Sequence, residues 1–126
     1  MNSSEQDHLL SALEAAHAQS QARPEIEARG VESLRTLYEA ACGHSGQCRV
    51  IAAFLLGLYN GSRFPFNLTD LRMLDSSLFE HCIRVLHMDA RVCRQEVHAY
   101  LDDGGRKFEE LARQWRIIDH ERVMED

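Results

Sequence analysis

The stretch Val50–Tyr59, VIAAFLLGLY, decides the fold that the sequence predicts. None of its positions carries a charge, so a helix built from it has no polar face. Such a helix is normally enclosed by its neighbours, because water on any side would meet apolar side chains. We therefore expect a buried central helix from about Gln47 to Tyr59. Gly57 lowers the stability of this helix, which indicates that another segment approaches closely there.

The stretch that follows, NGSRFPFNLTDLRMLD from Asn60 to Asp75, is rich in aromatic, turn-forming and charged residues. Pro65 restricts Phe64 to extended backbone. This predicts a short extended strap over Arg63–Phe66. In extended backbone, Phe64 and Phe66 point the same way, so both rings are expected to enter the core.

Beyond the strap, Asn67 and Asp70 match a capping box, which predicts a short helix. Its three leucines would face the core: Leu68, Leu71 and Leu74. This interpretation leaves only two arginines of the stretch without a structural role. The alternative is a surface groove that contacts a partner, with a rim formed by Tyr59, Arg63 and Arg72.

Two helices are predicted before the central one. The first begins with a capping box at Ser4 and Asp7, and its apolar stripe is thin: Leu9, Leu10, Leu13 and His17. A polar run then interrupts the pattern, and Pro24 suits the first turn of a second helix, which Gly43 closes. Because the stripe is too thin to be well buried, pairing with a second copy of the chain would give it a partner face.

Three helices are predicted after the short one. Asp75 is placed to cap the first, and Asp89 to cap the second, which would run to Leu101. The first would bury Leu78, Phe79, Cys82, Ile83 and Leu86. The last, from about Arg106, would bury Phe108, Leu111, Trp115 and Ile118. Its exposed side would carry two ion pairs, Arg106–Glu110 and Glu109–Arg113.

The charge balance excludes some classes of partner. The chain has 126 residues and a formal net charge of −6. Affinity for phosphate backbones and for anionic membranes comes from clustered positive charge, so we expect neither nucleic acid nor a membrane as a partner. The Val50–Tyr59 run is also too short to span a bilayer. The absence of a signal peptide and four cysteines read as free thiols predict a cytoplasmic protein.

The densest group of potential metal ligands is Cys42, His44 and Cys48, on the predicted loop between two helices. Zinc prefers four nitrogen or sulfur ligands, usually in pairs spaced like C-x2-C, and this spacing differs. A fourth ligand would have to come from His81, His87, Cys93 or His98. The simpler interpretation is that both cysteines are small apolar residues at helix ends, so we predict no cofactor.

Motifs for catalysis, phosphate binding and DNA binding are weak or missing. No glycine-rich elbow marks a cysteine as a nucleophile, and the pair Gly104–Gly105 is typical of a helix boundary. Residues 76–101 could form the helix, turn and helix of a DNA-binding motif, but their exposed face mixes arginines with acidic residues. We therefore predict no enzymatic activity.

The run LLGLYNGSRFPFNLTDLRMLDSSLFEHCIRVLHMD, followed by EVHAYL and the glycine pair, resembles an uncharacterised bacterial family. That family is associated with plasmids and integrated mobile elements. The resemblance covers about Phe54 to Trp115, and residues 1–46 look variable. It brings no known catalytic residues, so it implies a setting and not a mechanism.

Together these patterns predict a single all-α domain, a compact bundle of five to six helices. Residues 1–22 would be a weakly packed N-terminal helix, 24–118 the core bundle and 119–126 a tail. The preferred function is a small protein-interaction module, an accessory protein of a mobile element that contacts another protein or itself. Two alternatives remain: a zinc-binding regulator using Cys42, His44 and Cys48, and an inhibitor of a host nucleic-acid defence complex.

Overall fold

The computed structural model describes residues 2–122 of the chain. Within this range the chain forms α-helices and 3-10 helices and no β-strand. In chain order they are α1 (Ser3–Ala41), α2 (Gly46–Tyr59), a first 3-10 helix (Leu68–Met73), α3 (Ser76–Arg91), a second 3-10 helix (Val97–Tyr100) and α4 (Gly104–Trp115). They pack together, which confirms the predicted compact all-α bundle. Residues 123–126 of the predicted tail lie outside the described range.

The first helix, α1, is continuous over 39 residues, so the predicted break before Pro24 is wrong. Its cap is Asn2, whose side chain accepts from the Glu5 backbone, and not the predicted pair Ser4 and Asp7. The polar run resembles a break because it lacks large apolar residues. It is rich in alanine and glutamine, which favour helix without burial, so the loss of the stripe marks exposure and not the end of a helix.

The two halves of α1 differ in burial. Every residue from 2 to 21 is exposed. The second half is buried along one side at Gly30, Ser33, Leu34, Leu37 and Ala41. This side packs against α3 and α2. The bundle therefore holds only the second half of α1.

The central position of α2 is confirmed. Most of its apolar side chains are buried: Val50, Ile51, Ala52, Phe54, Leu55 and Leu56. It contacts α1, α4 and both 3-10 helices. The close approach expected at Gly57 is also present, because a Cβ atom placed there would lie 2.9 Å from the Cβ of Phe66.

The strap after α2 has the predicted side-chain directions. Phe64 is buried, Pro65 is exposed, and the half-buried Phe66 ring meets Phe54 edge-on with 5.7 Å between ring centres. The short helix beyond it is of the 3-10 type. The side-chain oxygen of its cap Asn67 accepts from the Thr69 N–H, whereas the Asp70 N–H donates to the Asn67 backbone carbonyl.

Leu68 of the first 3-10 helix is 71% exposed, so its predicted burial is wrong, whereas Leu71 and Leu74 are half-buried against the core. Side chains three positions apart share one face of a 3-10 helix, so the spacing does not account for the exposure of Leu68, the first residue of this helix. Only part of the short helix therefore faces the core.

The predicted cap at Asp75 is confirmed, since its side chain accepts from the Leu78 backbone at the start of α3. The predicted cap at Asp89 is wrong, because Asp89 lies inside α3. Cys93 then has φ of 53°, a left-handed conformation that no helix continues. Only the second 3-10 helix follows, where a full helix was expected. Ile83 is 40% exposed, and not buried as predicted.

The last helix, α4, buries Phe108 and Leu111 as predicted. Ile118 is exposed, contrary to the prediction, because Arg116 has φ of 52° and ends the helix before it. The pair Arg106–Glu110 is present at 3.0 Å. The other predicted pair is replaced, because Glu109 binds Arg63, as described below. No helix within residues 2–122 is long and apolar enough to cross a membrane.

Candidate functional site

The most connected group of polar side chains surrounds Arg63, and we call it the Arg63 cluster: Tyr59, Arg63, Glu109 and Asp119. The Arg63 guanidinium donates to both Glu109 oxygens, Nη1 to Oε2 at 2.7 Å and Nη2 to Oε1 at 2.8 Å. Its Nε and Nη2 also donate to Asp119 Oδ2, at 3.0 and 2.8 Å. The Tyr59 hydroxyl donates to Glu109 Oε2 at 2.5 Å. One guanidinium therefore joins two carboxylates.

Four parts of the chain bring this cluster together. Tyr59 is the last residue of α2, Arg63 begins the strap, Glu109 lies on α4 and Asp119 follows α4. The Arg63 backbone is fixed as well, because its carbonyl accepts from the His120 N–H at 2.8 Å. Residues 119 and 120, predicted to belong to a tail, are thus held against the strap.

The cluster perturbs the protonation of its members. Hydrogen bonds from Arg63 lower the pKa of Glu109 to about 2, against the opposing effect of burial. Arg63 also lowers the pKa of Asp119. Burial, followed by the hydrogen bond to Glu109, raises the pKa of Tyr59. The lowered pKa values keep both carboxylates ionised. Most of the N–H donors of the Arg63 guanidinium are already bound to these carboxylates.

The predicted interaction surface is only partly assembled. Tyr59 and Arg63 share the carboxylate of Glu109. Arg72 lies exposed on the first 3-10 helix, and within residues 2–122 no hydrogen bond or ion pair joins it to the cluster. Sequence patterns did not identify Glu109 and Asp119 as partners of Arg63, because they lie 46 and 56 positions away from it along the chain.

A surface cavity of about 370 Å³ lies beside the cluster. Its charged lining contains four arginines and two carboxylates: Arg63, Arg113, Arg116, Arg122, Glu109 and Asp119. The two carboxylates are already bound to Arg63. The remaining arginines give the cavity an excess of positive charge, so an acidic group would be its best match.

The other large feature of the surface is the exposed first part of α1, residues 2–21, which we call the N-terminal segment. It carries three leucines that are at least half exposed, Leu9 at 50%, Leu10 at 56% and Leu13 at 57%. These three form the leucine patch. The segment contains three acidic residues and no lysine or arginine. Within residues 2–122 nothing covers the patch.

The candidate zinc ligands are not assembled into a site. Cys42 and His44 are exposed, and Cys48 is half-buried in the first turn of α2. Within residues 2–122 no three His, Cys, Asp or Glu side chains are grouped so as to hold a metal ion. The hydroxyl of Ser45 donates to the Cys48 sulfur at 3.0 Å and lowers the pKa of this thiol.

Two histidines considered as a fourth zinc ligand lie in structural contacts. His81 Nδ1 is 2.9 Å from the hydroxyl of Ser33 in the seam between α1 and α3. Ser33 is 1% exposed, so this hydroxyl is closed to a substrate. The His98 ring packs edge-on against Tyr59, with 5.0 Å between ring centres. The helix, turn and helix considered for DNA binding is also not formed, because a four-residue 3-10 helix lies where its second helix would be.

Comparison with known proteins identified the family of this chain. No curated protein and no solved structure matched the chain. A family model described as "Family of unknown function (DUF7673)" matches residues 31–116. The match runs from the buried half of α1 to the end of α4, and it includes Tyr59, Arg63 and Glu109 but neither the N-terminal segment nor Asp119. The chain therefore belongs to this family of unknown function.

Proposed function

We propose that this chain is a small, non-enzymatic, cytoplasmic protein-interaction module, and that the N-terminal segment is its binding element. The observation that carries the proposal is the leucine patch, which lies on a helix whose residues are exposed on all sides from 2 to 21. Most helical stability in proteins comes from packing an apolar face, and within residues 2–122 the leucine patch packs against nothing. A partner protein supplies the missing face.

The attachment of the segment suits this role. The second half of α1 is buried against α3 and α2, so the segment is a direct continuation of a fixed helix. At a rise of about 1.5 Å per residue, its helical part extends roughly 30 Å from the bundle. This length presents the leucine patch to a partner well away from the bundle surface.

Two polar arrangements support the non-enzymatic part of the proposal. The guanidinium of Arg63 is engaged by two carboxylates of its own chain. The Ser33–His81 pair has the composition of a nucleophile and its base, but Ser33 is enclosed between two helices. Both arrangements are explained by the stability that they give to the fold, without a catalytic role. The four cysteines are unpaired, which fits the reducing cytoplasm.

The resemblance of Leu55–Asp89 to a family associated with mobile elements gives the proposal its setting. We propose that the module is an accessory protein of a bacterial plasmid or an integrated element. Such a gene is expected to be transferred together with its element. Sequencing the replicon that carries the gene tests this, and a gene fixed among housekeeping genes in unrelated hosts would contradict it.

The binding proposal is tested by affinity capture from a nuclease-treated lysate of the native host, with a second copy of the chain counted as a partner. The variant Leu10→Glu/Leu13→Glu places charge in the patch and should lose the captured protein. The control Ala15→Glu/Ala18→Glu adds the same charge on the opposite side of the helix. At about 3.6 residues per turn, positions two and five residues beyond Leu13 point away from the leucine patch. Equal capture by both variants, or no capture by the unmodified chain, would refute the proposal.

A further inference from the structure

We infer that the partner of the N-terminal segment is the same segment of a second copy, bound antiparallel across a two-fold axis. This inference rests on the proposed function, since it names the partner for the same surface. The leucine patch occupies one side of the helix over little more than one turn. A two-fold axis through the patch brings it against itself, so Leu9, Leu10 and Leu13 of both copies form one apolar contact.

The distribution of charge selects the antiparallel direction. Residues 5–14 contain three acidic side chains, Glu5, Asp7 and Glu14. Residues 15–21 contain none and include His17. A parallel pair would place each acidic residue beside its own counterpart, which is unfavourable. In an antiparallel pair with its axis midway between Leu9 and Leu13, Glu5 faces His17, Asp7 faces Ala15 and Glu14 faces His8, so no acidic residue faces another. This direction also opposes the two helix dipoles.

The length of the exposed part fits this pairing. When the axis passes midway between Leu9 and Leu13, position 6 of one copy faces position 16 of the other. Position 3 then faces about position 19, at equal rise along both helices. The overlap therefore ends before Ala22, where the described burial begins. The two bundles lie at opposite ends of the helix pair, and no buried side chain has to be uncovered.

The mass of the full chain in solution tests the pairing. Light scattering over a wide concentration range should give twice the 14.4 kDa mass of one chain at high concentration. Leu10→Glu/Leu13→Glu should weaken the dimer about 100-fold or more, because four leucines are removed from one contact. Ala15→Glu/Ala18→Glu keeps all six leucines and should weaken the dimer by less than about 10-fold, through the added acidic charge alone. Circular dichroism at each step checks that the variants remain helical.

Disulfide trapping tests the direction. In a chain with the exposed Cys42 and Cys93 replaced by serine, Gln6→Cys/Ala16→Cys should form a covalent dimer under mild oxidation. Gln6→Cys alone should not, because the two copies of position 6 lie at opposite ends of the overlap. Efficient trapping through Gln6→Cys alone would establish a parallel pair and overturn the inference.

The outcomes separate this inference from the proposed function. A chain that remains a monomer at all concentrations overturns the second-copy inference. If that monomer still captures a different protein through the leucine patch, the interaction proposal stands. A dimer that withstands Leu10→Glu/Leu13→Glu contradicts the inference, because its contact then lies on another surface.

Discussion

At the scale of single residues, Gly104 and Gly105 make a matched pair with different surroundings. A Cβ atom at Gly104 would overlap the backbone oxygen of His98, whereas the nearest atom to a Cβ at Gly105 is His98 Cδ2 at 3.9 Å. Gly104→Ala should therefore lower the free energy of unfolding by about 3 kcal/mol, because backbone has to move. Gly105→Ala should change it by less than about 1 kcal/mol. Urea denaturation of both variants measures the difference, and equal losses would refute this account of the pair.

Predictions for single residues were correct where the role of the residue follows from its neighbours in the sequence. Gly57 was correctly assigned to a close approach, because a glycine inside an apolar helix has few other roles. Leu68 and Ile83 were wrongly assigned to the core. Both positions satisfy a helical apolar pattern, but the pattern does not say how wide the buried face is once neighbouring elements are placed.

At the scale of elements, the seam between α1 and α3 depends on Gly30. A Cβ at this position would overlap the Cβ of Met88, an atom so near the α3 backbone that it cannot move away alone. Gly30→Ala should therefore lower the free energy of unfolding by about 1–3 kcal/mol, although alanine favours helix. Gly46→Ala at the start of α2 is the control, because no atom lies within 4 Å of its added Cβ. Chemical denaturation measures both, and a stable Gly30→Ala variant would show that the helices separate easily.

The helices also show which features of an element a sequence pattern can predict. The central helix and the Asp75 cap were predicted, because an all-apolar run and a capping side chain act locally. The continuity of α1 through Pro24 was missed, because its exposed half has no periodic stripe to detect. Asp89 matched a cap in sequence but lies within α3. An aspartate caps a helix only where its own backbone is non-helical, as that of Asp75 is, and the sequence does not fix that condition.

At the scale of the whole molecule, the Arg63 cluster joins distant parts of the chain, and its contribution should depend on pH. The pKa of Glu109 is lowered from 4.5 to about 2 in the folded protein, so the unfolded chain binds more protons in this interval. The stabilisation of the folded state by the ionised Glu109 carboxyl is complete above pH 4.5 and is lost as the pH falls towards 2. Allowing for solvent screening of a side chain that is 32% exposed, we expect a loss of about 1–2 kcal/mol.

Two variants at adjacent positions separate the acid sensitivity caused by Glu109 from that of a surface ion pair. Glu109→Gln removes the perturbed carboxyl and should make the unfolding free energy less sensitive to acid. Glu110→Gln removes the carboxyl of a surface pair with Arg106, which contributes little, so its acid sensitivity should match the unmodified chain. Urea titrations from neutral pH down to about pH 2 compare them. Identical acid slopes for all three proteins would refute the assigned role of Glu109.

The Arg63 cluster also marks the limit of sequence interpretation. The local stretch singled out Tyr59 and Arg63, because an arginine among aromatic residues lacked a structural role there. Its two acidic partners could not be found, since i,i+4 spacing assigned Glu109 to Arg113 and the end of the chain looked like a tail. Pairing over 46 and 56 positions requires knowing how α4 and the residues after it lie against the strap.

The division of α1 into an exposed and a buried half predicts how the whole molecule responds to truncation. Removal of residues 1–21 takes away no described side chain of the core, so the remaining chain should keep its helical bundle and unfold cooperatively. The midpoint of thermal unfolding of the full chain should rise with protein concentration, because dimer formation stabilises the folded state by mass action. The truncated chain should show a midpoint that does not depend on concentration. Calorimetry at several concentrations measures both, and a concentration-dependent midpoint after truncation would place self-association on the bundle instead of the leucine patch.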